Sequence, residues 1–126
     1  MMALDARTAA EFILSGGQYH DAPQGRLLME TVGPLETMTP LVMDRAYEDD
    51  RTRRTARFLK FSPVVPSKSN RVNPWEHDVA LYRRRNEIER LFRLIQGFRR
   101  IFCRFEKLDV MYIGFIQLAL VYVSIK

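Results

Sequence analysis

The sequence predicts an α/β fold, a small sheet covered by helices. Two observations carry that prediction. Short apolar runs that end in turn residues alternate with longer segments of mixed polarity, the order expected when strands and helices succeed one another. One longer segment also repeats its apolar residues at the helical period. At 126 residues the chain is expected to form one domain with a modest buried core.

Phe12-Ile13-Leu14 is a short apolar run stopped by Ser15-Gly16-Gly17, which reads as a buried strand ending in a turn. Asp21 and Pro23 open a helix that continues through Leu27, Leu28 and Met29 to about Val32, where Gly33-Pro34 ends it. Leu41-Val42-Met43 is a second strand and delivers Asp44 at its C-terminal end. A polar, Arg-rich helix is expected from about Glu48 to Lys60. Pro63-Val64-Val65-Pro66 is a third short strand with proline at both edges, and a basic loop follows from Lys68 to Pro74. The longest helix is expected from about His77 to Phe102. There Ile88, Leu91, Phe92, Ile95, Phe98 and Phe102 define one buried stripe. A final apolar helix runs from Leu108 to Ile125, at 108–126 of the domain.

Composition excludes several classes. Cys103 is the single cysteine and makes no internal disulfide, which points to a reducing compartment. His20 and His77 stand apart from any zinc-type spacing. The opening residues lack the basic and apolar regions of a signal peptide. The apolar run from Val110 to Ile125 is 16 residues, short of the ~20 that span a bilayer. It reads as a buried helix, with a membrane-associated role as the weakest alternative. Leu14-Ser15-Gly16-Gly17-Gln18 matches the signature of cassette-type ATPases, but no Gly-Lys pair offers the phosphate loop those proteins need.

Charge is distributed unevenly. Residues 1–50 hold three Arg and nine acids, a net of −6. Residues 51–107 hold 16 Lys or Arg and five acids, a net of +11. An acidic part followed by a basic part suggests carboxylates for a metal beside a surface for phosphates. Any single charge run is more often a solvated face. Arg far outnumbers Lys, as suits forked phosphate contacts.

Within the long predicted helix, Tyr82, Arg85, Glu89 and Gln96 are spaced by three, four and seven residues. On an unbroken α-helix they fall within about 60° of one another, beside the apolar stripe. Spacing alone equally describes an i, i+4 ladder of Arg85, Glu89 and Arg93, which is the commoner arrangement. Asp44 is likewise either a helix cap or a group at the carboxyl end of a strand, where α/β folds place chemistry.

Five blocks then occur in order: Phe12-Ile-Leu-Ser-Gly-Gly-Gln-Tyr-His-Asp21, Leu41-Val-Met-Asp-Arg-Ala-Tyr47, Pro63-Val-Val-Pro66, Tyr82-Arg-Arg-Arg-Asn-Glu-Ile-Glu-Arg-Leu-Phe92 and Gly97 to Asp109. From about Asp5 onward the chain resembles the C-terminal part of the catalytic domain of insertion-sequence transposases of the DDE class. The resemblance implies a partial ribonuclease-H-like fold, a short mixed sheet flanked by helices with its first strand missing. It implies that Asp44, in the D-x-A-Y block, is the second catalytic acid. Glu89 would be the third, in the pattern Tyr-x2-Arg-x3-Glu-x6-Lys met by Tyr82, Arg85 and Glu89, with Gln96 replacing the Lys. Asp44 and Glu89 would then hold Mg²⁺, a hard cation suited to carboxylates. Tyr82, Arg83, Arg84, Arg85, Gln96, Arg99 and Arg100 would contact DNA. Trp75 is expected to anchor a loop rather than to stack on a base.

The family's first acid lies upstream of the Phe12 block, and Asp5 matches a non-catalytic position. The expectation is therefore a chain with two of three catalytic carboxylates, inactive alone, either a remnant or the distal product of a split reading frame. Implied partners are transposon-end and target DNA, an upstream transposase segment and a second copy of the chain, with no membrane. A bacterial cytoplasmic, nucleoid-associated location follows from the same resemblance. The alternative is a non-catalytic nucleic-acid-binding module in which Arg83 to Arg85, Arg99, Arg100 and Arg104 grip phosphates.

Overall fold

The computed structural model describes residues 1–104 and 107–126, the side chain of Phe102 excepted. Residues 105–106 of the last sequence block and the packing expected of Phe102 fall outside that description. In chain order the elements are β1 (Met2–Ala3), β2 (Ala9–Glu11), α1 (Asp21–Val32), β3 (Thr39–Val42), α2 (Asp50–Phe58), β4 (Phe61–Val64), α3 (Val79–Tyr82), α4 (Asn86–Gln96), α5 (Arg99–Phe102) and α6 (Asp109–Ile125). The chain is mixed α/β and divides into two compact units, one of residues 15–85 and one of residues 1–14 with 86–126.

In the unit of residues 15–85, α1 opens at Asp21, whose charge suits a helix N-terminus. It stops where Gly33 leaves the helix and donates its N–H to the Met29 carbonyl at 2.7 Å. Its buried residues are Leu28 and Met29. Strands β3 and β4 pair in parallel, Thr39 opposite Phe61 and Val42 opposite Val64, so the connection must cross over. A 3-10 turn at Arg45–Tyr47 and α2 make that crossover. The third strand thus begins two residues earlier than the Pro63–Pro66 run, because Phe61 is buried and continues the pairing.

Asp49 caps α2 by accepting from the Thr52 N–H at 2.9 Å, and Arg26 of α1 reaches both Asp49 and the Thr52 hydroxyl. Burial alone would raise the Asp49 carboxyl's pKa, but the Thr52 bonds and the Arg26 charge outweigh it and hold it below the usual range. Thr52 and Ala56 form the buried face of α2. Lys60 closes the helix with a left-handed φ of 63°, a conformation usually given to glycine.

In the other unit, β1 and β2 form an antiparallel hairpin. Asp5 makes its turn, accepting from the N–H groups of Arg7 and Thr8 at 2.7 and 2.9 Å. That turn sets the register, so pairing ends at Glu11 and the expected strand at Phe12–Leu14 is not one. Phe12 instead packs against the core from outside the strand. In place of one mixed sheet, the described residues show two two-stranded sheets, β1-β2 and β3-β4.

The helix expected from His77 to Phe102 is also divided. Asp78 caps α3, a 3-10 turn occupies Arg83–Arg85, and Gly97 separates α4 from α5. A 3-10 turn advances about 120° per residue rather than about 100°, so a common face computed for an unbroken α-helix does not carry through it. The buried stripe narrows accordingly. Leu91 and Ile95 are buried, Ile88 and Phe98 are half-buried, and Phe92 is exposed. Leu91 and Ile95, with Ile101, meet Ile116, Ala119 and Val123 of α6 in one apolar cluster, and Phe98 packs against it. Tyr112 ties α6 to α5 by donating to the Ile101 carbonyl at 3.3 Å. Among the described residues no helix is long and apolar enough to cross a membrane.

Candidate active site

Asp44 stands two residues past the end of β3, where the parallel pair stops and the chain turns into the crossover. The position answers both of its sequence readings. One carboxylate oxygen caps the 3-10 turn, accepting from the Ala46 N–H at 3.2 Å. The other accepts from the Arg85 Nη1 at 3.1 Å. Both side chains remain partly open to solvent. The structure therefore joins two of the predicted site residues, 41 positions apart in sequence, in an ion pair that helical spacing did not suggest.

The turn carrying Asp44 is held from below by Tyr47. Its ring lies against α1 at Gly25, where an added β-carbon would sit 2.5 Å from the ring edge. Only glycine leaves room for that approach. Burial, then the nearby charges of Asp21 and Asp44, push the Tyr47 phenol's pKa up. Sequence reasoning quoted Tyr47 within the D-x-A-Y block but did not single out Gly25. A glycine within a helix pattern, a residue of low helix propensity, was the available signal.

The other candidates are spread along the divided helical segment. Tyr82 ends α3, its ring edge-on to His77 at 5.3 Å. Arg83 and Arg84 are exposed on the 3-10 turn that Arg85 completes. Glu89 lies half-buried in the first turns of α4. Gln96, seven residues on, is exposed and rims an apolar cleft with Phe12, Phe92 and Ile95. Arg99 and Arg100 are exposed on α5, the latter with its guanidinium 5.0 Å from the Phe115 ring. Arg104 pairs with Asp109 and covers the Tyr112 ring at 4.6 Å. Asp44 and Arg85 thus belong to the unit of residues 15–85, Glu89 and Gln96 to the other.

Trp75 is built into a lock. Its indole N–H donates to the Val65 carbonyl at 2.8 Å. The guanidinium groups of Arg53 and Arg71 lie 3.5 and 4.7 Å from its ring. Arg71 also donates to the Glu48 carboxylate at 2.7 Å and to Asp50 at 3.0 Å, with Lys68 adding an ion pair to Glu48 at 3.5 Å. Burial would raise the Glu48 carboxyl, but the Arg71 hydrogen bond and the Arg71 and Lys68 charges overcome it and hold it low.

Carboxylates suit a hard divalent cation in kind. In number they fall short, since among the described residues no three His, Cys, Asp or Glu side chains gather closely enough to hold one.

Comparison with known proteins gives the class. A family described as Transposase DDE domain matches residues 1–124. The chain belongs to the DDE transposase family. In particular it is 32% identical over 104 residues to a Brucella ovis protein named "Putative transposase for insertion sequence element IS6501", the match covering 82% of this chain and 78% of that one. No solved structure matches the chain.

Proposed function

We propose that this protein takes part in DNA transposition as a segment of a metal-dependent DDE strand-transfer site. The observation that carries this reading is the family match across residues 1–124. In it Asp44 and Glu89 serve as the second and third acids, and one further carboxylate completes the set. A ribonuclease-H-like frame is consistent with the parallel β3-β4 pair and an acid just beyond the carboxyl end of β3. Such carboxylates would hold Mg²⁺, which would supply Lewis acidity to the phosphodiester and to its attacking water or 3′-hydroxyl. Arg85, already bonded to Asp44, orients that carboxylate. Tyr82, Arg83, Arg84, Gln96, Arg99 and Arg100 contact the DNA. Bacterial cytoplasm and pairing with a second subunit follow from the same reading.

The Asp44–Arg85 pair also favours a second reading, a nucleic-acid-binding module without catalysis, because the carboxylate already has a cationic partner. One experiment separates them. The chain is supplied with a segment carrying the family's first strand and acid, and strand transfer of transposon-end DNA is measured with Mg²⁺. Catalysis requires that Glu89→Gln and Asp44→Asn each abolish transfer while DNA binding persists. Absence of transfer by the complemented wild type leaves the binding module.

A further inference from the structure

The outward face of α2 carries an arrangement that the transposition reading does not use. Arg51, Arg54 and Phe58 lie at i, i+3 and i+7, within about 60° of one another on the helix surface. With Thr55 they line one shallow groove, bounded by Glu30 of α1. All three are exposed, Phe58 to 84%, and Arg57 flanks them on the same side.

The inward arginines of this region are occupied: Arg53 pairs with Asp50 and covers Trp75, and Arg71 is held by Glu48 and Asp50. Among the described residues Arg51, Arg54 and Arg57 have no ion-pair partner, and Glu30 does not reach them. Solvation alone accounts for exposed arginines, and a single exposed ring is common on protein surfaces; the distinguishing feature here is that the ring shares one groove with two of these guanidinium groups.

Unpaired guanidinium groups around an open aromatic ring match one ligand chemistry. Phosphates accept forked guanidinium bonds, and unpaired bases stack on exposed rings. We propose that this face binds single-stranded DNA, with Arg51 and Arg54 on backbone phosphates and Phe58 stacked on a base. The proposal rests on the family's DNA reading but involves none of the residues assigned there.

The test is equilibrium binding of the full chain to a fluorescein-labelled oligothymidylate and to a duplex of equal length, by anisotropy over a salt series. Phe58→Ala is expected to weaken single-strand binding about 5- to 150-fold, the loss of one stacked base, with a smaller effect on the duplex. The double variant Arg51→Gln, Arg54→Gln should reduce the logarithmic salt slope on the single strand by about 1.4, two phosphate contacts. Glu30→Gln should tighten binding. Each side chain is exposed, so circular dichroism should show the variants folded. Wild-type behaviour of Phe58→Ala and of the double variant overturns the proposal and leaves the DNA reading intact. Unchanged affinity with an altered sedimentation coefficient also overturns it, and makes the face a protein-docking surface. Failure of the native chain to bind either DNA overturns both readings together.

Discussion

The two compact units are held by different physics. Residues 1–14 with 86–126 close on an apolar cluster, Leu91, Ile95, Ile101, Ile116, Ala119 and Val123, and among the described residues this unit has no buried carboxylate. Residues 15–85 also bury apolar side chains, Met29, Phe61 and Val65 among them, but add Glu48 and Thr52 to the interior. Around these, Arg71, Lys68, Arg26 and Asp49 form ion pairs and hydrogen bonds that clip the loop carrying Trp75 onto α2. A buried carboxylate is costly without a partner and supportive with one. The first unit should therefore respond mainly to lost volume, and the second also to protonation.

The largest effect is expected in the apolar unit. Leu91→Ala removes a side chain with no solvent exposure and should cost about 2–5 kcal/mol. Hydrogen exchange checks it by unit. Amides of Ile95 and Ile116 should lose protection while those of Met43 and Val64 keep theirs, and equal losses would mean that the units unfold as one body.

Next is the charged lock. Glu48→Gln leaves Lys68 without its anion and Arg71 with Asp50 alone, and should cost roughly 1.5–3 kcal/mol, the range for hydrogen bonds to charged groups. Trp75, the chain's single tryptophan, reports the transition by its fluorescence. The same carboxylate makes this unit sensitive to acid. Glu48 and Asp49 have folded pKa values below their unfolded ones, so the native state holds their charged forms more tightly. That stability is fully present above the unfolded values, about 4.3 and 3.9, and is lost as pH falls through the folded ones. Acid titration followed by Trp75 emission should show the loss beginning below about pH 4.3, and Glu48→Gln should flatten it.

A smaller effect tests the support beneath Asp44. Alanine in place of glycine normally stabilises a helix interior by about 1 kcal/mol. At Gly25 the added carbon meets the Tyr47 ring, a rigid group, and overpacking should reverse the sign, a net loss of roughly 1–2 kcal/mol in urea denaturation. Smallest is Arg85→Gln. Its ion pair with Asp44 is partly exposed, so stability should change by less than about 1 kcal/mol, while complemented strand transfer falls if Arg85 orients the carboxylate.

Features coded by neighbouring residues were legible in the sequence. The span of α1 follows from Asp21, Pro23 and the Gly33-Pro34 stop, and Asp44 falls just past a strand because an apolar run precedes it. The family was legible too, since blocks such as Asp44-Arg-Ala-Tyr47 and Tyr82 to Glu89 keep their order whatever the tertiary contacts are. Those blocks name candidate catalytic positions and say nothing of their surroundings.

Tertiary structure decided the rest. That Arg85 bonds Asp44 depended on a contact 41 residues away, and helical spacing registers only neighbours three or four apart. Phe12–Leu14 have strand composition, but the turn at Asp5 had already set where pairing ends. The apolar period from Ile88 onward does not reveal a 3-10 turn, because tightening three residues changes backbone bonding without changing residue type. Local propensity and order are written in short windows of sequence. Long-range partners and phase breaks are settled only when the elements compete for the same neighbours.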